Sequence, residues 1–284
     1  MGLDPLAILT ELLAGDSKTG FDDGLGEAMF DGPTVAVAAA DDAWFARFKE
    51  VIGPFYWSPQ EALSLAAPQA TARSVICWSL PVSSPARSTN RRETQVPSRA
   101  WAYVRTFGEE LNSRMRHGME LRLRSLGFAA VAPAVVSQNT VAERPQVGIS
   151  SCWSERHTAF VAGLGTFGLS GGLITRHGIA HRLGSVVTDA ELPPTPRPYG
   201  DDPFAWCLRI AQGTCGVCIS RCPVDSIGEN VAARDKLACK RHYACTIKAQ
   251  CADVFGWEGT YGCGLCQTGV PCEDCNPLES GQTG

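Results

Sequence analysis

The longest regular pattern of apolar and polar positions lies between Ser98 and Leu126, where Trp101, Val104, Phe107, Leu111, Met115 and Met119 recur at three- and four-residue steps. Glu and Arg fill the positions between them. That period gathers the apolar side chains on one face and predicts a core-facing amphipathic helix. Residues 5–14 predict a shorter helix stopped at Gly15. Another spans Pro59–Ala66, with Ser58 as N-cap, Pro59 in the first helical position and Glu61 at the third. Short apolar runs at Thr34–Ala40, Ser74–Leu80, Phe128–Val136, Gly172–Thr175 and Arg182–Thr188 read as strands. Between the second and third lies Pro81–Pro97, rich in Pro and Ser and carrying Arg87, Arg91 and Arg92, which reads as a mobile loop or lid. Pro193, Pro194, Pro196, Pro198 and Gly200 mark a linker. The expected organisation is α+β, with one domain over residues 1–192 and a smaller one over 201–284.

Composition changes the picture most after that linker. The chain has 284 residues, 44% of them hydrophobic, and 13 cysteines; all but Cys77 and Cys152 lie beyond residue 206. The smaller domain is therefore a metal-binding or disulfide-bonded module. Cys215, Cys218 and Cys222 form a Cys-x2-Cys-x3-Cys-Pro run, and Cys263-x2-Cys266 followed by Cys272 forms a second group. A disulfide framework suits small secreted chains without a core, and the opening MGLDPLAILTELLAG predicts no secretory leader. Structural zinc is the stronger rival, since paired Cys-x2-Cys elements also make tetrahedral thiolate sites. Against zinc stand the number of cysteines and the Cys-Pro ending, which is how bacterial ferredoxins close a [4Fe–4S] ligand run. In those modules the cysteine before Pro ligates the other cluster. Two [4Fe–4S] clusters are the reading the spacing favours. The net charge of −4 leaves no basic footprint for nucleic acid. No apolar stretch approaches a membrane span, and a soluble, cytoplasmic protein is expected.

One further segment carries candidate chemistry. Trp153-Ser-Glu-Arg-His-Thr-Ala-Phe-Val-Ala-Gly-Leu-Gly-Thr-Phe-Gly168 is followed by Leu173-Ile-Thr175 and by Arg182-Leu-Gly-Ser-Val-Val-Thr-Asp189. Its glycines allow tight turns or close approach to a flat ligand, and their spacing is not a dinucleotide fingerprint. Together with Gly213-Thr-Cys-Gly-Val-Cys-Ile-Ser-Arg-Cys-Pro223 and Tyr261-Gly-Cys-Gly-Leu-Cys-Gln267, these ordered blocks resemble the epoxyqueuosine reductase and reductive dehalogenase superfamily. The resemblance covers roughly residues 98–275 and implies a nitroreductase-like α/β sandwich domain followed by a ferredoxin-like domain with two [4Fe–4S] clusters. It further implies that electrons pass through the clusters to a corrinoid (cobalamin rather than flavin) lying on the glycine-rich blocks, here Gly163, Gly165, Gly168, Gly184 and Ser185.

This chain also departs from the family's pattern. The family's Asp proton donor has no counterpart, because no carboxylate lies between Gln146 and Ser154. Its Gly-Trp-x-Gly-Lys block is replaced by Gly165-Thr-Phe-Gly-Leu169. The usual first ligand position holds Gln212, with Cys207 upstream in a Cys-x7-Cys-x2-Cys-x3-Cys spacing. The expected cluster ligands are Cys207, Cys215, Cys218 and Cys272 for one cluster, with Cys275 competing for the last place, and Cys222, Cys239, Cys263 and Cys266 for the other. Cys245 and Cys251 are surplus, and Cys77 belongs to the core. With the Asp missing, the candidate proton donors are Tyr103, Arg105, Glu155 and His157. The expectation is an iron–sulfur oxidoreductase that takes electrons from an external donor such as a ferredoxin or flavodoxin and reduces a small molecule, not a tRNA, away from any membrane. An electron carrier without its own catalytic cofactor and a zinc-stabilised binding module are the alternatives.

Overall fold

The computed structural model describes residues 2–22, 27–145 and 147–279; Gln146 lies outside them. In chain order the first elements are α1 (Pro5–Gly15), β1 (Thr34–Ala39), α2 (Ala43–Ile52), α3 (Pro59–Ser64), β2 (Ser74–Pro81), α4 (Ser84–Asn90), α5 (Arg99–Ser125) and β3 (Ala130–Val131). There follow β4 (Val141–Arg144), β5 (Gly148–Ser151), α6 (Glu155–Val161), β6 (Gly165–Phe167), β7 (Leu173–Thr175) and β8 (His181–Thr188). The cysteine-rich part holds α7 (Leu208–Gln212), α8 (Val217–Ser220), α9 (Lys236–His242), a π-helical turn (Tyr243–Ile247) and α10 (Lys248–Phe255).

An antiparallel sheet in the order β1-β2-β8-β3 organises the molecule. All eight residues of β2 are buried, so its two faces must both be covered. Ile76, Trp78 and Leu80 point to one face and pack with Leu111, Met115 and Met119 of α5 and Leu9 of α1. Val75 and Cys77 point to the other and pack with Phe45 and Phe48 of α2, Leu63 of α3 and Phe160 of α6. The alternation follows from the two-residue period of a strand, and it makes this part a helix–sheet–helix sandwich. The fold is α+β, as the mixture of elements predicts.

Helix starts follow their caps. Ser58 accepts from the Glu61 N–H while Glu61 Oε2 accepts from the Ser58 N–H, a reciprocal capping box. Ser98 caps α5 through the Trp101 N–H. The residues 128–136 expected as a strand pair with β8 only at Ala130–Val131 and then turn into a 3-10 turn at Pro133–Val135, because Pro133 has no N–H to give a ladder.

Pro81–Pro97 is not a mobile loop or lid. It holds α4, whose Ala86, Arg87 and Asn90 are buried. Arg221, next to Cys222, donates to the carbonyls of Asn90, Arg91 and Glu93 at 3.0–3.2 Å, satisfying acceptors at the end of that helix. Through Nε it also reaches the Leu265 and Thr268 carbonyls at 3.2 and 3.0 Å. Asn90 donates to Thr268 Oγ1 at 2.9 Å, and Arg91 Nε donates to both oxygens of Glu273 at 2.9 Å. The segment is a strap binding the sandwich to the cysteine-rich part. Trp206, Cys207, Ile227 and Val270 share a hydrophobic core with Phe160, Leu164 and Leu169, so packing is continuous across the proline-rich linker.

Candidate functional site

Eight of the cysteines fall into two groups of four. Cys207, Cys215, Cys218 and Cys272 line one cavity, whose other walls include Gly168, Ile174, Ile179 and Val270. Cys222, Cys239, Cys263 and Cys266 line a second. Cys222 therefore sits with the downstream group although it closes the upstream run, and Cys272 sits with the upstream group although it closes the downstream one. Two backbone features hold Cys272 there: the Ile179 N–H donates to its carbonyl at 2.8 Å, and the Ala180 N–H donates to that of Glu273 at 3.1 Å. Cys275 lines neither cavity and directs its thiol to the Pro271 carbonyl. Gln212 is exposed in α7. Cys251 is buried with Ile247 and Tyr261, Cys77 lies in the sheet core, and Cys245 is exposed.

Burial raises five of the grouped thiols, those of Cys218, Cys239, Cys263, Cys266 and Cys272, although Cys239 is an exposed residue. Burial, and then the neighbouring thiols Cys207 and Cys215, push Cys218 up to about 11. Burial likewise raises Cys263 to about 11 and Cys266 to about 12, and raises Cys272 further. Desolvated thiols become stable thiolates only when positive charge is placed among them, which is what a metal centre supplies. Among the described residues, no three His, Cys, Asp or Glu side chains converge closely enough to hold a single ion. Each group has the number of thiols that one four-cysteine cluster takes.

Helix α5 approaches this part through one face, on which Trp101 and Arg105 are one turn apart. The approach requires the glycines of the Tyr261–Gln267 block. Gly262 and Gly264 have φ of +68° and +64°, the left-handed region, and a β-carbon on either would collide with Arg105 or Trp101 respectively. A β-carbon at Gly259 would meet Thr106, whose hydroxyl accepts from the Tyr261 N–H. The segment carrying Cys263 and Cys266 is thus laid directly onto α5.

The candidate proton donors do not come together. Arg105 lines the cavity of Cys222, Cys239, Cys263 and Cys266 and donates to Thr260 Oγ1 at 3.2 Å. Tyr103 packs in an aromatic group with Phe21, Phe107 and Trp257 and is not part of that cavity wall. Glu155, the first residue of α6, forms an ion pair with Arg116 at 3.0 Å. Burial, opposed by Arg116, raises the Glu155 carboxyl. Arg116 also holds Glu109 and the Leu183 carbonyl, so this is a buried structural network. His157 is packed edge-on against Phe48 and pairs with Ser154 Oγ at 2.7 Å; burial and then Arg156 depress it to about 3. It lines a third cavity of about 750 Å³, together with Trp44, Phe167, Phe204 and Arg47. Arg156, Arg234 and Lys236 line both this and the second cavity.

The glycine-rich blocks expected to floor a corrinoid are filled by the protein itself. A β-carbon at Gly165 would run into the Ile174 carbonyl across the β6–β7 pair. One at Gly163 would meet the Pro196 carbonyl, and one at Gly184 the Trp78 indole. Ser185 is fully buried and accepts from Trp153 Nε1 at 2.9 Å. Only Gly168 reaches cavity walls, and there its neighbours are Ile174 and Ile179. On the side that a β-carbon would take, Gly163, Gly165 and Gly184 face the protein itself.

No protein-family model matches the chain, and no curated protein does. Among solved structures it is similar to an epoxyqueuosine reductase from Streptococcus thermophilus, at 14% identity over 93% of this chain and 65% of that one, with a TM-score of 0.48. It is also similar to the epoxyqueuosine reductase from Bacillus subtilis, at 18% identity over 95% of this chain and 66% of the other, with a TM-score of 0.47. A third such reductase, solved with an epoxyqueuosine-modified tRNA stem loop, is 20% identical over 95% and 66% of the two chains, with a TM-score of 0.49. The chain thus spans about two thirds of the length of these structures.

Arg221, Asn90 and Arg182 were not singled out from the sequence. Arg221 had one available signal, its place inside the Cys-x3-Cys-Pro run. Nothing local marks the other two.

Proposed function

We propose that this protein is an iron–sulfur oxidoreductase carrying two [4Fe–4S] clusters in a ferredoxin-like part. Cys207, Cys215, Cys218 and Cys272 would hold one cluster, and Cys222, Cys239, Cys263 and Cys266 the other. The observation that carries this reading is the exchange of Cys222 and Cys272 between the two groups, the crossover characteristic of two-cluster ferredoxins. The clusters supply one-electron transfer when bound; the chain contributes the thiolates, their burial, and cations beside Cys266. Arg234 lowers the energy of the Cys266 thiolate, and Arg156 lies close enough for the two to interact.

Electrons would arrive from an external donor of ferredoxin or flavodoxin type and leave toward a reducible group in the second or third cavity, whose walls share Arg156, Arg234 and Lys236. A corrinoid, if one serves this protein, belongs there, against Arg156, Arg234 and Lys236, and not on Gly163, Gly165 or Gly184. The missing Asp and Lys and the dispersal of Tyr103, Glu155 and His157 favour a substrate other than the tRNA epoxide. Anaerobic titration with cobalamin tests the cofactor: saturable binding that is lost in Arg234→Glu at unchanged iron content supports the cavity placement. Absence of binding makes the protein a cluster-only electron carrier. Efficient turnover of epoxyqueuosine would contradict the substrate reading.

A further inference from the structure

The second cavity, about 450 Å³, holds more than a cluster. Its wall carries Arg105, Arg156, Arg182, Arg234, Lys236 and Lys240, and no carboxylate. These cations divide into two sets. Arg156 and Arg234 are close enough to Cys266 to interact with its thiolate, so they belong with the cluster's charge. Arg105 and Arg182 interact instead with each other.

Arg182 is the less well satisfied of that pair. It leaves β8 beside His181, its side chain is 18% exposed, and its only ion-pair neighbour among the described residues is Glu109, at 3.8 Å. Glu109 is already committed to Arg116 at 2.8 Å. Arg182 Nε, the atom that faces Glu109, makes no hydrogen bond among the described residues, and the side chain lines the cavity wall. Burial, and then Arg105, depress Arg182 to about 9, so it remains charged at neutral pH. A buried guanidinium without a full partner is costly unless something else completes it. Arg105, on the wall of the same cavity, is fixed by its stem crossing Gly262 and by Thr260. Planar guanidinium forks suit bidentate capture of an oxyanion.

We propose that Arg105 and Arg182 form an anion subsite that orients a small carboxylate- or phosphate-bearing substrate beside the cluster of Cys222, Cys239, Cys263 and Cys266. This rests on the iron–sulfur reading for the meaning of "beside the cluster", while the anion site itself stands on the two arginines. The remaining cavity wall is apolar and aromatic at Trp101, Ile149, Tyr243 and Ile247, which suits the uncharged body of such a molecule.

The test is anaerobic calorimetry on the purified full chain with benzoate, phenyl phosphate and neutral benzamide, after its iron and sulfide have been counted. Saturable one-to-one binding of benzoate or phenyl phosphate, but not benzamide, is expected, and whichever anion binds tighter names the headgroup. Arg182→Gln and Arg105→Gln should each weaken binding at least tenfold, about 1.4 kcal/mol, at unchanged iron content. Arg182→Lys, which keeps the charge and loses the fork, should fall between. The proposal is overturned if neither anion binds saturably, if benzamide binds as well, or if both glutamine variants bind like the parent. Missing iron sinks the cluster reading alone, because the anion titration is read on the same sample.

Discussion

Gly262 and Gly264 show how single residues set the site. Both lie in the left-handed region, where a side chain costs about 1–2 kcal/mol in strain, and both lie under a side chain of α5. Gly264→Ala adds a collision with the Trp101 ring to that strain. It should lower stability by at least about 2 kcal/mol and release iron from the group containing Cys263 and Cys266, measured by thermal melting and iron content. The sequence displayed these glycines within a motif, yet their partners lie more than a hundred and fifty residues away, so their purpose could not be read locally. The reverse happened at Gly165 and Gly184: the motif suggested a ligand, and the structure puts the Ile174 carbonyl and Trp78 in the space.

His157 gives a prediction in pH. Its folded-state value, near 3, lies below the ordinary histidine value of 6.5, so the unfolded chain binds a proton that the folded chain refuses. Its contribution to stability is present above about 6.5 and is lost as pH falls toward 3. His181, depressed to about 4 chiefly by burial, acts in the same direction. The melting temperature of the metal-free chain should fall between pH 6.5 and 4, less steeply in His157→Gln than in the parent. Equal slopes would show that His157 is charged in the fold.

Elements were legible where their signal was local. The α5 stripe, the Ser58 cap and β2 follow from periodicity and capping alone. The α4 strap did not, because it is held by Arg221, Thr268 and Glu273 of the cysteine-rich part rather than by the helix propensity of its own Pro- and Ser-rich sequence. Glu273 is the keystone: its carboxylate accepts from Arg91 and from the Gly269 N–H, and its carbonyl pairs with Ala180. Glu273→Ala should cost about 2–3 kcal/mol, the scale of charged hydrogen bonds lost from a buried acceptor. Faster loss of the cluster bound by Cys272 should accompany the lower melting temperature. A neutral effect on both would mean the strap does not hold the cysteine-rich part.

At the scale of the whole molecule, a helix–sheet–helix sandwich and a cysteine-rich part share a hydrophobic core and are tied by a basic, hydrogen-bonded strap. Cysteine spacing read together with the family resemblance suggested both sets of four, with Cys275 competing for the place of Cys272; the apolar and basic cavities between the parts were not legible, since their walls come from α5, β8 and α9 together. Crossover has a consequence for variants. Cys222→Ser should damage the cluster of Cys239, Cys263 and Cys266, and Cys272→Ser that of Cys207, Cys215 and Cys218, each seen as loss of one of two paramagnetic resonance signals. Among the described residues no helix is long and apolar enough to cross a membrane. The most direct measurement is iron and acid-labile sulfide per chain in anaerobically purified protein. The two-cage account predicts about eight of each, falling to about four in Cys272→Ser. A single zinc ion, or an iron count unchanged by Cys272→Ser, would contradict it.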